Sequence, residues 1–203
     1  IKPAEEKKHV VIVGAGLAGL EAARVAAKRG HTVDVYEKEA KIGGQIHIAA
    51  VPPRKDEILR SVEYYEKILP SLTNVTVHLN TEATKEVMNA ADAVIVAVGA
   101  HNVTLPIPGA DGANVVSSWD ILDGKVEAKG QCVVIGGGLS GCEIAYDLYL
   151  HGKKPVIVEA KHDLIVSDKV PLPNASYLRD FFISNKVPTY LEASVKEIKD
   201  GSV

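Results

Sequence analysis

Residues 9–39, HVVIVGAGLAGLEAARVAAKRGHTVDVYEKE, decide the fold, because residues 131–161, QCVVIGGGLSGCEIAYDLYLHGKKPVIVEAK, repeat them without a gap. Gly14, Gly16, Gly19, Glu21, Gly30 and Glu37 fall opposite Gly136, Gly138, Gly141, Glu143, Gly152 and Glu159, each pair 122 positions apart. A lone G-x-G-x-x-G carries little weight, since glycine triplets also occur in ordinary turns. Here each triplet follows an apolar β-branched run, opens a helical pattern, and reaches an acidic residue 23 positions beyond its first glycine.

The chemistry of a dinucleotide accounts for each position. The first glycine allows the sharp turn off the strand, the second lets backbone approach a pyrophosphate, and the third lets helix pack on strand. Free amide N–H groups at the helix start face the phosphate, aided by the helix dipole. Glu37 and Glu159, at the tips of the second strands, are placed to accept hydrogen bonds from a ribose diol. A glycine turn beside a strand-end carboxylate is common enough to explain one copy, but not two in register. Two nucleotide sites in one chain suggest electrons passing between cofactors.

The 203 residues suffice for two lobes of about 100 residues each. With 46% apolar and 24% charged residues, the chain can bury a core. A net charge of −3 with no Lys/Arg stripe gives no field for nucleic acid. Apolar runs are strand-sized, short of the roughly 20 residues of a membrane span. No secretory leader precedes the first strand, and a cytoplasmic setting is the expectation. Cys132 and Cys142 are the only cysteines and do not form a C-x-x-C. They read as two buried thiols and cannot build a four-cysteine cluster. Seven histidines show no metal-ligand spacing.

The pattern predicts strands at 10–13, 32–36, 75–79, 132–135 and 155–158, and helices at 17–29, 56–69, 139–151 and 175–185. Residues 93–98, AVIVAV, read as a strand buried on both faces and ending at Gly99. Strand signal extends over 189–199. Within it, 194–199 alternate, and Asp200-Gly201 reads as a hairpin turn whose returning strand has only two residues left. Both ends therefore read as cuts in a longer protein. A proline- and glycine-rich stretch at 104–130 is the expected crossing between lobes. The expected division is a linker at 1–7, a first lobe at 8–114 and a second at 115–203. Alternating strands and helices give an α/β fold: two Rossmann-like lobes with parallel sheets in a three-layer ββα arrangement.

After Glu37 and Lys38 the chain runs EAKIGGQ, where Gly43 and Gly44 place bare backbone at the pocket mouth and Gln45 offers a hydrogen-bonding amide. No glycine pair follows Glu159. The first site thus suits the longer cofactor. The Glu159 carboxylate repels a 2′-phosphate and favours NADH over NADPH, a preference that Lys161 and His162 would blunt.

The segments GAGLAGLEAA, YEKEAKIGGQ, AVIVAVGA and GGGLSGCEIA resemble the flavin- and pyridine-nucleotide-binding half of the two-dinucleotide reductases. The intervening IAAVPPRKDEI and LPIPGADGANVVSSWDIL are most similar to the C-terminal part of multidomain NADH:flavin oxidoreductases. That group includes 2,4-dienoyl-CoA reductase, 2-enoate reductase and trimethylamine dehydrogenase. The resemblance implies FAD in the first site and a nicotinamide nucleotide in the second. It also implies that Glu37 binds the adenosine ribose, that Gly44 and Gln45 lie along the pyrophosphate and ribityl chain, and that Gly99 closes the pocket. An N-terminal (β/α)8 barrel carrying FMN and a 4Fe–4S cluster is the implied partner domain and site of substrate reduction.

The candidate binding residues are thus Gly14, Gly16, Gly19, Glu37, Lys38, Gly44, Gln45 and Gly99 in the first site, and Gly136, Gly138, Gly141, Glu143 and Glu159 in the second. No catalytic side chain and no metal ligand is assigned. The family's Ala-Thr-Gly strand end reads Ala97-Val98-Gly99 here, and its returning Gly-Asp motif lies beyond Val203. Thioredoxin reductase-like enzymes share the architecture but carry a C-x-x-C just before the second glycine motif, where VEAKGQ stands at 126–131. A second class of reading is a non-catalytic module carrying ADP, as in the amine dehydrogenase relatives.

Overall fold

The computed structural model describes residues 1–167 and 169–203. They form two compact units, residues 1–50 with 54–101 and residues 51–53 with 102–203. The change of unit at His101–Asn102 lies upstream of the 114/115 division expected from the proline- and glycine-rich stretch.

In the first unit the order is β1 (His9–Val13), α1 (Leu17–Lys28), β2 (Thr32–Tyr36), α2 (Ile46–Ala49), a 3-10 turn (Asp56–Leu59), α3 (Arg60–Ile68), a second 3-10 turn (Leu69–Ser71), β3 (Val75–His78), α4 (Lys85–Asn89) and β4 (Ala93–Val96). The sheet runs β3-β2-β1-β4, and every pairing is parallel. Strand alternation sends Val10, Ile12, Val33 and Val35 to one face, where they meet Leu20, Ala23, Ala26 and Ala27 of α1 and Val62 and Tyr65 of α3. The alanines keep the helix close to the sheet. Each fully buried Ile12, Leu20, Val33 or Val35 contributes about 1.5–3 kcal/mol of burial. On the opposite face Asp34 accepts hydrogen bonds from His9 Nε2 at 2.8 Å and His78 Nε2 at 2.7 Å, tying β1, β2 and β3 together.

One expectation fails in this unit. The 93–98 run is not buried on both faces: all four residues of β4 are exposed, Val96 to 67%. β4 is the sheet's outer strand, with β1 as its partner. A continuous apolar run shows that a strand tolerates burial, not that a covering layer is present.

The second unit contains α5 (Ser118–Leu122), β5 (Gln131–Ile135), α6 (Leu139–Leu150), β6 (Lys154–Val158), α7 (Leu172–Ser184) and β7 (Thr189–Tyr190). Its parallel sheet runs β5-β6-β7. Val134 and Ile157 pack towards Cys142, Ala145 and Tyr146 of α6 and Leu178 and Phe182 of α7. α7 starts three residues earlier than the periodicity predicts, because Pro173 sits in its first turn, where a missing N–H costs nothing.

The strand signal at 189–199 is realised only at Thr189–Tyr190. Residues 194–199 do not join the sheet. Ile198 N–H is taken by Pro108 O at 2.8 Å, and Lys199 bridges Ser202 around the Asp200-Gly201 turn. Each unit is thus a parallel sheet packed with helices, the α/β, Rossmann-like arrangement that the sequence predicts. In the second unit, residues 193–199 flank a groove of about 670 Å³ over Val133, Val156, Val158 and Tyr190. Among the described residues, no helix is long and apolar enough to cross a membrane.

Candidate functional site

In the first unit the chain leaves β1 at Val13 and turns at Gly14, whose φ of +101° disfavours any side chain. A Cβ there would also meet Ala97 O at 2.4 Å, so the end of β4 closes on the turn. Gly16 caps α1 with extended backbone and no side-chain hydrogen bond, and the first turn holds no acidic residue. The N–H groups and the positive end of the helix dipole are thus left for an anion. A Cβ on Gly19 would lie 1.9 Å from Gly14 O, which shows how tightly the helix seats on the turn.

Glu37, at the end of β2, is only 8% exposed. Its Oε2 accepts the Ala15 N–H at 2.8 Å and its Oε1 the Glu39 N–H at 2.9 Å. The carboxylate therefore holds the glycine turn itself, and each oxygen keeps a further lone pair for a hydroxyl.

The second unit repeats this geometry. Gly136 has φ +103°, Gly138 caps α6 without a side-chain bond, and a Cβ on Gly141 would lie 1.9 Å from Gly136 O. Glu159, 9% exposed, accepts the Gly137 N–H at 2.6 Å and the Lys161 N–H at 2.7 Å. One contact has no counterpart. A Cβ on Gly136 would meet nothing within 4 Å, whereas Gly14 is pressed by Ala97. The second sheet has no described strand outside β5 to play the part of β4.

Beyond Glu37 the loop returns to the turn. Gly43 N–H donates to Ala15 O at 2.8 Å, and Gly44 comes so near that a Cβ on it would sit 3.1 Å from Gly16 Cα. Gln45 Nε2 donates to Ala100 O at 2.6 Å, and a Cβ on Gly99 would lie 2.9 Å from that same nitrogen. Gly14, Gly16, Glu37, Gly44, Gln45 and Gly99 are thus brought together around the first glycine turn, with Gly19 packed beneath it. Lys38 stands at its edge, largely exposed, 4.0 Å from Glu39.

Glu21 turns elsewhere. Arg24 grips its carboxylate with two bonds of 2.6 Å, and Tyr65 OH donates to it at 2.8 Å. The Arg24 bonds hold the Glu21 carboxyl down at about 2, and burial with the Glu21 bond pushes Tyr65 up to about 12. Tyr65 is thereby a helix-packing residue. Glu143, the matching position of α6, is half-buried beside the second glycine turn, where Tyr146 replaces the arginine. Cys142 is buried under that turn, its Sγ donating to Gly137 O at 3.3 Å. Burial, reinforced by the Glu159 carboxylate, pushes this thiol up to about 12. Cys132 is only partly buried. Among the described residues, no group of histidines, cysteines and carboxylates forms a metal site.

Sequence reasoning missed the partners of the two glutamates. Ala15 and Gly137 contribute only main-chain atoms, so no residue type could signal them. It also missed Ile165, whose N–H donates to Gly137 O at 2.8 Å. The signal was available, because Ile165 stands 122 positions after Gly43.

Residues 8–203 match the family described as pyridine nucleotide-disulphide oxidoreductase. The chain is 40% identical over 203 residues to the cinnamate reductase of Clostridium sporogenes, covering 98% of this chain and 30% of that protein. It is 42% identical over 187 residues to the NADH oxidase of Thermoanaerobacter brockii, covering 89% and 28% respectively. The solved structure of 2-naphthoyl-CoA reductase with 2-naphthoyl-CoA matches with a TM-score of 0.90 and 31% identity, covering the whole of this chain and 31% of that one. The chain spans less than a third of the length of the curated relatives it matches.

Proposed function

The chain belongs to the pyridine nucleotide-disulphide oxidoreductase family, and from that premise we propose that it is the electron-input module of a longer flavoprotein reductase. In this reading the first site holds FAD and the second holds NADH. The observation that carries it is the duplicated clamp: Glu37 on Ala15 and Glu159 on Gly137, each behind a helix start left uncapped by side chains.

Both sites fit their groups. Positive-φ glycines at both turns and helix starts free of side-chain caps are what a pyrophosphate requires at close approach. The first site adds the bare Gly43–Gly44 backbone and the Gln45 amide, along which a cofactor longer than its mate extends. Glu37 and Glu159 receive the ribose hydroxyls on their remaining lone pairs. A 2′-phosphate against the buried Glu159 carboxylate brings like charges together, which favours NADH. Lys38 contributes a solvated positive charge at the first site's rim.

When bound, the cofactors supply hydride transfer from dihydronicotinamide to flavin, and the protein supplies binding and alignment, so no acid–base side chain is assigned. Onward electron flow goes to a flavin- and cluster-bearing barrel in the longer protein, which reduces enoate- or aryl/enoyl-CoA-type substrates. The names of the cinnamate and 2-naphthoyl-CoA reductases support that substrate class.

The test is anaerobic mixing of FAD-loaded protein with NADH. Loss of the oxidised-flavin absorbance, slowed at least tenfold with NADPH, supports the reading. Retention of ADP in place of flavin, with no bleaching, replaces it with a nucleotide-binding module that does no redox work.

A further inference from the structure

Gly137, which follows the first glycine of the second turn, is held by three hydrogen bonds. Glu159 accepts its N–H at 2.6 Å, and its carbonyl oxygen receives the Ile165 N–H at 2.8 Å and the Cys142 thiol at 3.3 Å. In the first unit the matching Ala15 is held by two. Glu37 accepts its N–H at 2.8 Å, and Gly43 donates to its oxygen at 2.8 Å. The position of Cys142 is taken there by Leu20, which is fully buried and has no donor on its side chain.

The additional bond falls where the backbone needs it. Ala15 is buried, and its Cβ narrows the conformations open to the first turn. Gly137 lacks that restraint and cannot acquire it, because a Cβ there would lie 2.5 Å from Leu164 Cδ2 and 2.9 Å from Glu159 Cβ. Cys142, in the first turn of α6 and fully buried, supplies a bond in place of a side chain. Burial and the Glu159 carboxylate keep its thiol in the protonated, donating form. The peptide joining Gly137 to Gly138 is trans, so its C=O and N–H point in opposite directions. Anchoring the Gly137 oxygen on the buried Cys142 and Ile165 therefore turns the Gly138 N–H away from the core. Among the described residues nothing accepts that N–H, and a Cβ on Gly138 would meet nothing within 4 Å.

Resting on the assignment of the second site to NADH above, we propose that Cys142 is a positioning residue of that site. Together with the Ile165 N–H, its thiol holds the Gly137 carbonyl inward and so presents the Gly138 N–H to the pyrophosphate. Cys142 acts through the turn rather than on the cofactor. It stiffens a stretch of three consecutive glycines, 136–138, that the backbone alone leaves loose.

The test compares wild-type protein with Cys142→Ala, Cys142→Val and Cys142→Ser, and with Ile144→Val, a truncation of a buried residue of the same helix that has no hydrogen-bonding side chain. Three substitutions at one position cover the case in which one of them does not fold. Equilibrium dialysis with NAD+, and separately with ADP, reads the site, and NMR relaxation of the Gly138 amide in nucleotide-free protein reads the turn. Loss of the donor should raise the NAD+ and ADP dissociation constants about three- to tenfold in Cys142→Ala and Cys142→Val. Cys142→Ser, which keeps a donor, and Ile144→Val should stay within about twofold of wild type. Exchange broadening at Gly138 should appear in Cys142→Ala and Cys142→Val alone. Unchanged affinity and relaxation in either of those folded variants overturn the proposal while leaving the cofactor assignment intact. An equal loss of affinity in Cys142→Ser or in Ile144→Val overturns it too, by making the residue a matter of packing or helix stability. Failure of wild type to bind NAD+ or ADP overturns the cofactor assignment itself, and this proposal with it.

Discussion

Glu159 reaches back 22 residues to take the Gly137 N–H at 2.6 Å, so the side chain assigned to a ribose also holds the turn assigned to the phosphates. Glu159→Ala removes the acceptor for both Gly137 and Lys161 N–H groups. Leaving such groups without partners costs about 1–3 kcal/mol. Amide exchange at Gly137 and Lys161 should quicken accordingly, even without nucleotide, and the preference for NADH over NADPH should narrow. Unchanged exchange would show that the carboxylate does not hold the turn.

The Cys142 thiol, pushed up to about 12 by burial and the Glu159 carboxylate, is almost wholly protonated at neutral pH. Thiolate is the reactive form. A thiol reagent at pH 8 should therefore modify Cys132 in the native chain and reach Cys142 only as the second unit opens. ADP should slow the second phase by stabilising the glycine turn above the thiol. Two equally fast thiols in folded protein would contradict this placement.

The Arg24–Glu21–Tyr65 cluster fixes α1 to α3 and sets an acid limit. The Glu21 carboxyl falls from 4.5 to about 2 on folding. A lowered folded value means that its stabilisation is present above pH 4.5 and is lost as pH falls towards 2. Glu21→Gln should flatten the pH dependence of unfolding in that window. Tyr65→Phe should cost about 0.5–1.5 kcal/mol at neutral pH by loss of one hydrogen bond. An acid profile unchanged in Glu21→Gln would exclude the cluster as its source.

Gly141→Ala places a Cβ 1.9 Å from Gly136 O, a backbone atom that cannot swing aside. Overpacking of this kind costs about 1–3 kcal/mol or more. Gly138→Ala, where a Cβ meets nothing within 4 Å and the backbone is extended, should fold with near wild-type stability yet lose nucleotide affinity. Thermal melts with and without ADP separate the two effects.

The duplicated fingerprint made the parallel sheets, the helix starts and the two buried glutamates legible, because glycine at a turn and carboxylate at a strand tip are residue-specific demands. What stayed hidden depended on neighbours. The apolar run at 93–98 looked doubly buried because composition reports what a strand tolerates, and β4 lies at an edge with Val96 largely exposed. The alternation at 194–199 suggested a strand, but Ile198 spends its N–H on Pro108 O, and among the described residues the segment's pairing is confined to the Lys199–Ser202 bridge. Ile165 was legible as the counterpart of Gly43 only through the 122-residue offset, because their likeness lies in φ and one main-chain hydrogen bond, not in side-chain chemistry.

The central claim is two separate dinucleotide sites with different cofactors, and binding stoichiometry tests it most directly. Equilibrium dialysis of the protein with oxidised FAD, with NAD+ and with both together should give one FAD and one NAD+ per chain, each unaffected by saturation with the other. A total of one nucleotide per chain, or mutual displacement of FAD and NAD+, would contradict the account.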